Sequence, residues 1–187
     1  MNKRALYNRE EMLEMNVKTL NERGVTVDEI ADIAYQQQMK WSDGISMKTC
    51  VDSVEKILSL RDTFHLLQLG AEIDRLTEEN LIREPLREIL HSDLGMFGID
   101  ELFGLELAGL YGTIGKTNFG DIDVNKPGIV ARLNDEGKTS KEACHTFLDD
   151  IVGAIAAAAS TRVAQILNEE EARKDPSYKP LTLDIDL

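Results

Sequence analysis

Cysteine, histidine, proline, aromatic side chains and positive charge are all scarce in this chain of 187 residues. Each scarcity closes a route. The two cysteines, Cys50 and Cys144, have no Cys or His beside them at metal-ligand spacing, which argues against a zinc ribbon or a disulfide framework and fits a reducing compartment. Four prolines and 42% hydrophobic residues argue against collagen-like, low-complexity and disordered classes. With 21 basic against 34 acidic residues the formal charge is -13, so a phosphate backbone is repelled and no nucleic acid is expected as a partner. No long hydrophobic run is present. The most apolar stretch, Ile151 to Leu167, is broken by Ser160, Thr161, Arg162 and Gln165, short of the roughly 20 apolar residues of a span. The start, Met1 to Leu6, is basic but meets Glu10, Glu11 and Glu14 with no apolar segment between, so no export signal is read. These features point to a cytoplasmic chain of single-domain length, with at most peripheral contact at the inner face of a membrane.

What is present is helical periodicity. Leu6, Leu13, Val17 and Leu20 mark a first helix that stops before Gly24, and Thr26 with Glu29 forms a capping box opening a second through Ile30, Ile33 and Ala34. Trp41 to Gly44 reads as a turn, with Trp41 as a core anchor. A long third helix is expected from Ser46 to near Gly70, and a fourth from about Ala71 with a break near Glu84, before Pro85. Ile99 to Leu110 is apolar on several sides and reads as a core helix. Gly112 to Gly128 reads as a loop and Asn134 to Gly137 as a turn. A last helix, capped by Thr139 or Ser140, is expected to reach about Arg173, followed by an alternating tail, Leu181 to Leu187. The fold class is therefore all-α: one multihelical domain of about six to eight helices over 1–187. It divides into a helical N-terminal half (1–95), whose amphipathic surface could serve self-association, a motif-bearing half (96–173) and a tail (174–187).

Several candidate chemistries fail on spacing. Gly109 to Thr117 has the glycines and lysine of a phosphate loop, but five residues separate Gly109 from Gly115-Lys116 and the preceding segment reads as helix, not strand. His65, His91 and His145 have no nucleophile at a useful spacing and read as structural. Carboxylates stand out instead. Asp149-Asp150 precedes Ile151 to Ala159, a stretch small and apolar enough to be buried, where two ionised groups need a compensating cation. The plainer reading is an acidic first turn favoured by the helix dipole. Asp100-Glu101 and Asp121-Ile122-Asp123 supply further oxygens of the kind Mg²⁺ or Mn²⁺ takes.

At these same residues the chain resembles the phosphatidylglycerophosphatase A family, in its soluble Gram-positive branch. Asp100-Glu101-Leu102-Phe103-Gly104 is similar to the family's Asp-Glu-Phe-Val-Gly. Phe119 with Asp123 and Lys126-Pro127 is similar to its Phe-x-x-x-Asp-x-x-Lys-Pro, although Gly128 replaces the aromatic that follows. Leu148-Asp149-Asp150-Ile151-Val152-Gly153 is similar to its Ile-Asp-Asp-Ile-Val-Ala-Gly. The resemblance implies a multihelical, Mg²⁺-dependent phosphomonoesterase that removes the terminal phosphate of phosphatidylglycerophosphate. It implies Asp100, Glu101, Asp149 and Asp150 as metal ligands, and Lys126 and Asp123 as catalytic residues, Lys126 meeting a phosphoryl oxygen. The expected partner is an anionic phosphate ester, a phospholipid by the resemblance. The alternatives are phosphatase action on a soluble ester, or a non-catalytic helical module binding a metal or partner.

Overall fold

A computed structural model describes residues 6–93, 97–140 and 142–177, and they are all-helical: nine helices and no strand among them. The alternating run 181–187 lies outside the described residues.

The organising element is α9, Leu148–Ala172, in which every residue from Leu148 to Thr161 is buried. A helix without a polar face must be surrounded. Here α2 (Val27–Gln38), α3 (Met47–Leu58), α6 (Ile99–Gly109) and α7 (Gly112–Asn125) pack along it, joined by α4 (Arg61–Glu78) and α8 (Ile129–Thr139). Alanine at 154 and 156–159 favours the helix and keeps its surface low, so that neighbours approach closely. That closeness shows at Gly153, where an added Cβ would come within 3.2 Å of Ile122 on α7. Its buried hydroxyls are satisfied laterally: Gln38 donates to Ser160 at 2.9 Å and Asn118 to Thr161 at 3.0 Å. Among the described residues α9 alone has the length and composition of a membrane span, and the rest of the fold wraps it.

Local signals in the N-terminal half act as the sequence indicates. Asn8 and Glu11 close a capping box on α1 (Arg9–Glu22), and Thr26 and Glu29 close one on α2. The anticipated long third helix is instead two. Leu60 adopts an extended backbone and the Ser59 hydroxyl bonds the Lys56 carbonyl, so the chain breaks while the apolar period continues on both sides. Consequently α4 runs through Gly70 and Ala71 to Glu78, and the short α5, Leu86–His91, follows a cis Glu84–Pro85 bond at the expected break. Trp41 is no core anchor: it is 81% exposed just beyond the end of α2.

Larger differences fall in the second half. The glycine-rich stretch 112–125 is helix, α7, folded back on α6. Gly115 lies against the Ala108 carbonyl, where a side chain would collide with backbone, so this glycine serves close packing and not looseness. Asn134 to Gly137 is likewise helical, inside α8, and the last helix starts at Leu148, not at Thr139 or Ser140. The segment 99–110 is not the core helix either. On α6 only Asp100, Gly104, Leu107 and Ala108 are buried, while Ile99, Leu102 and Leu105 face outward. Apolar residues on several sides were distributed between core and surface, and α9 took the centre.

Candidate functional site

Three elements bring the acidic motifs to one place. Asp149 and Asp150 occupy the first turn of α9, Asp100 and Glu101 that of α6, and Asp123 and Lys126 the end of α7. Because α6 and α7 are antiparallel, the start of one meets the end of the other. Phe119 packs over Gly104 and fixes that register. The residues line a polar cavity of about 240 Å³, completed by Asp93, Phe97 and Gly98 before α6 and by Asn134 and Lys138 on α8.

At its centre is the ammonium of Lys126. It lies 2.8 Å from Asp123 Oδ1, 3.1 Å from Asp149 Oδ2 and 3.6 Å from Asp150 Oδ1. Lys126 terminates α7 with a left-handed backbone, φ +43°, uncommon for a side chain with a Cβ and a local cost of about 1 kcal/mol. Pro127 then prevents the helix from continuing. The three carboxylates offset that cost and hold the lysine firmly charged, against the burial that opposes its charge. An ammonium has three N–H donors, and in this arrangement three carboxylates face them.

Asp149 and Asp150 are 6% and 4% exposed. Asp149 Oδ1 accepts the Asp150 amide at 2.9 Å. Burial pushes both carboxyls above the ordinary aspartate range. Lys126 pulls against this at each, whereas Asp149 beside it adds to the push on Asp150. Asp100, 8% exposed, is also raised by burial while it accepts the Glu101 amide at 3.0 Å. Glu101 is exposed at the rim.

Among the described residues no three carboxylate, imidazole or thiol groups stand ready as a ligand set for one ion. The donors nevertheless fit a hard divalent cation: they are all oxygens, two are buried carboxylates, and one ammonium serves three of them.

What aims Asp149 and Asp150 was invisible in the motifs. Asp74, fully buried on α4, accepts the Phe147 amide at 3.2 Å from both oxygens and the Leu148 amide at 3.0 Å, capping α9 from another helix. Arg23 forks onto Glu78 with two 2.7 Å bonds and donates to the Cys144 carbonyl at 2.6 Å, while Glu78 accepts the Cys144 amide at 2.8 Å. His145 is buried 3.2 Å from Arg23 and 3.4 Å from Glu136, a structural setting. His65, by contrast, is exposed on α4. Asp93, Asn134 and Lys138 were also missed as cavity residues, the last two because a turn was expected where α8 places them one turn apart. A wider groove of about 720 Å³, between Trp41, Ile114 and Leu167, shares no residue with the acidic cavity.

Comparison with known proteins agrees with the motif resemblance. The sequence profile of the family described as phosphatidylglycerophosphatase A matches residues 18–165. The uncharacterized protein YpjQ of Bacillus subtilis is 40% identical over 172 residues, 90% of this chain and 95% of that protein. YutG of the same organism, likewise uncharacterized, is 43% identical over 145 residues, 78% of this chain and 86% of that one. The crystal structure of low temperature requirement C protein from Listeria monocytogenes superimposes with a TM-score of 0.80 at 39% identity, covering 84% of this chain and 97% of that one. The profile spans every residue singled out above from Asp100 to Asp150, and on that match the chain belongs to the phosphatidylglycerophosphatase A family.

Proposed function

We propose that this protein is a divalent-cation-dependent phosphomonoesterase acting on phosphatidylglycerophosphate. The observation that carries the reading is the convergence of Asp100, Asp123, Asp149 and Asp150 on one small polar cavity with incomplete cationic compensation. Membership of a phosphatase family supports it. Asp149 and Asp150, with Asp100 and Glu101 on the facing helix, would hold Mg²⁺ or Mn²⁺. When bound, such an ion supplies charge stabilisation for the phosphoryl oxygens and the leaving alkoxide.

The chain's own residues do the positioning. Asp123 holds Lys126 from within the same helix end, one turn away. Lys126 lends positive charge to Asp149 and Asp150, favouring the ionised forms that hard cations require. The cavity admits a phosphoryl group but not a whole phospholipid, so the remainder of the substrate lies outside it. That size, with the net charge of -13, favours a second reading in which the substrate is a soluble phosphate ester. Phosphate release from phosphatidylglycerophosphate in mixed micelles, compared with release from glycerol phosphate esters and with Mg²⁺ present or chelated, separates the readings. Mg²⁺-dependent release lost in both Asp149→Asn and Asp150→Asn is the expected result; full activity in both variants would overturn the assignment.

A further inference from the structure

We propose that Lys138 and Asn134, one turn apart on α8, form the arm that receives the phosphoryl oxygens at the mouth of the acidic cavity. The inference rests on the phosphatase reading and assigns the anion contact within it. A phosphate monoester carries negative charge into a space bounded by six carboxylates, so it needs hydrogen-bond donors of positive charge there. The motif resemblance gives that part to Lys126, but Asp123, Asp149 and Asp150 already take up its ammonium.

Among the described residues lining the cavity, Lys138 is the other cation. Its engagement is different in kind. The side chain is half exposed, donates to Asn134 Oδ1 at 2.6 Å and is only loosely paired with Asp93 at 3.5 Å. Two acceptors for three donors leave one for an incoming oxygen. The Asn134 amide group, whose own contact is a long 3.3 Å bond to exposed Asp135, adds a neutral donor beside it. The arm is not loose, because Ile129, Val130 and Leu133 are buried and seat α8 against the core. One lysine therefore stays inside to hold the carboxylates and a second, at the rim, meets the ligand.

The test is titration calorimetry of inorganic phosphate into the full-length protein saturated with Mg²⁺, with Mn²⁺ affinity measured separately by electron paramagnetic resonance. Lys138→Ala and Lys138→Gln should each weaken phosphate binding about tenfold or more and leave Mn²⁺ affinity unchanged, while Lys138→Arg, which keeps the charge, retains most of it. Lys40→Ala, an equal charge change at an exposed lysine outside the cavity, should bind phosphate as wild type does. Wild-type-like phosphate affinity in Lys138→Ala, an equal loss in Lys40→Ala, or parallel loss of Mn²⁺ would overturn the arm and leave the phosphatase reading standing. A wild-type protein that takes up no phosphate when loaded with Mg²⁺ would overturn that reading, and the arm with it.

Discussion

Two sets of buried carboxylates meet the N-terminus of α9, and they are treated in opposite ways. Asp74 approaches from α4 and is enclosed: both oxygens accept backbone amides, Cys144 donates its thiol, and the Arg23 charge lies close enough to favour the carboxylate. Asp149 and Asp150, on α9 itself, share one lysine and open on a cavity. Burial raises the proton affinity of all three. Only the second set has room for another ion. A carboxylate surrounded by donors holds a fold together, whereas one left short of them is available to bind.

Substitution should separate the two sets of carboxylates. On the open side, Asp149→Asn or Asp150→Asn should lower Mg²⁺-dependent phosphate release about a thousandfold, because several kcal/mol of transition-state stabilisation are lost. The same variants should be more stable than wild type without metal, by about 1 kcal/mol in urea titrations, since a like-charge contact is relieved. On the closed side the signs reverse. Asp74→Ala leaves the Phe147 and Leu148 amides buried without acceptors and should cost about 3 kcal/mol, read as a fall of about 10 °C in melting temperature. Asp74→Asn, which keeps one carbonyl acceptor, should lose less. Equal stability losses on the two sides would erase the distinction.

Lys126 joins the sides and should give an intermediate result. Lys126→Met leaves Asp149 and Asp150 without their counter-charge and should destabilise the metal-free protein by about 2 kcal/mol at pH 8, with a smaller loss at pH 6, where the carboxyls take up protons instead. Proton linkage refines this. The folded-state pKa values of Asp149 and Asp150 are raised, so the unfolded chain gives up its protons first, and their contribution to stability is lost as pH rises from the ordinary aspartate range through the raised values. Thermal melts should show Mg²⁺ stabilising the wild type more at pH 8.5 than at pH 5.5. They should show no such difference in the Asp149→Asn, Asp150→Asn double variant.

Much of this site was legible in the sequence, and what was not has a common cause. Asp149-Asp150 announced themselves because charge stands directly before Ile151 to Ala159, a contrast that survives any tertiary arrangement. Capping at Thr26 and Glu29 was readable because it is local. Gly112 to Gly128 reads as a loop because glycine lowers helix propensity, whereas the close α6 to α7 approach that calls for Gly115 depends on Ala108, a residue of another helix. The turn expected at Asn134 to Gly137 hides in the same way the face that Asn134 and Lys138 share. Asp74 could not be found at all: it lies in an ordinary amphipathic helix, and its partners are amides more than 70 positions away.

The smallest expected effect comes from His145, which lies among the closed-side contacts and should titrate with the opposite sign. Burial and the nearby Arg23 guanidinium lower its pKa below the ordinary histidine value, with Glu78 and Glu136 pulling the other way. The folded state therefore prefers the neutral ring, and protonation on unfolding becomes favourable as the solution turns acidic. The stability it contributes is complete above the ordinary histidine range, near pH 6.5, and is lost as pH falls through the lowered folded value. The difference in urea midpoint between wild type and His145→Gln should shift slightly against the wild type as pH falls from 7 to 5, and by the same amount with and without Mg²⁺. A difference that Mg²⁺ abolishes would couple this histidine to the cavity and merge the two sides into one titrating unit.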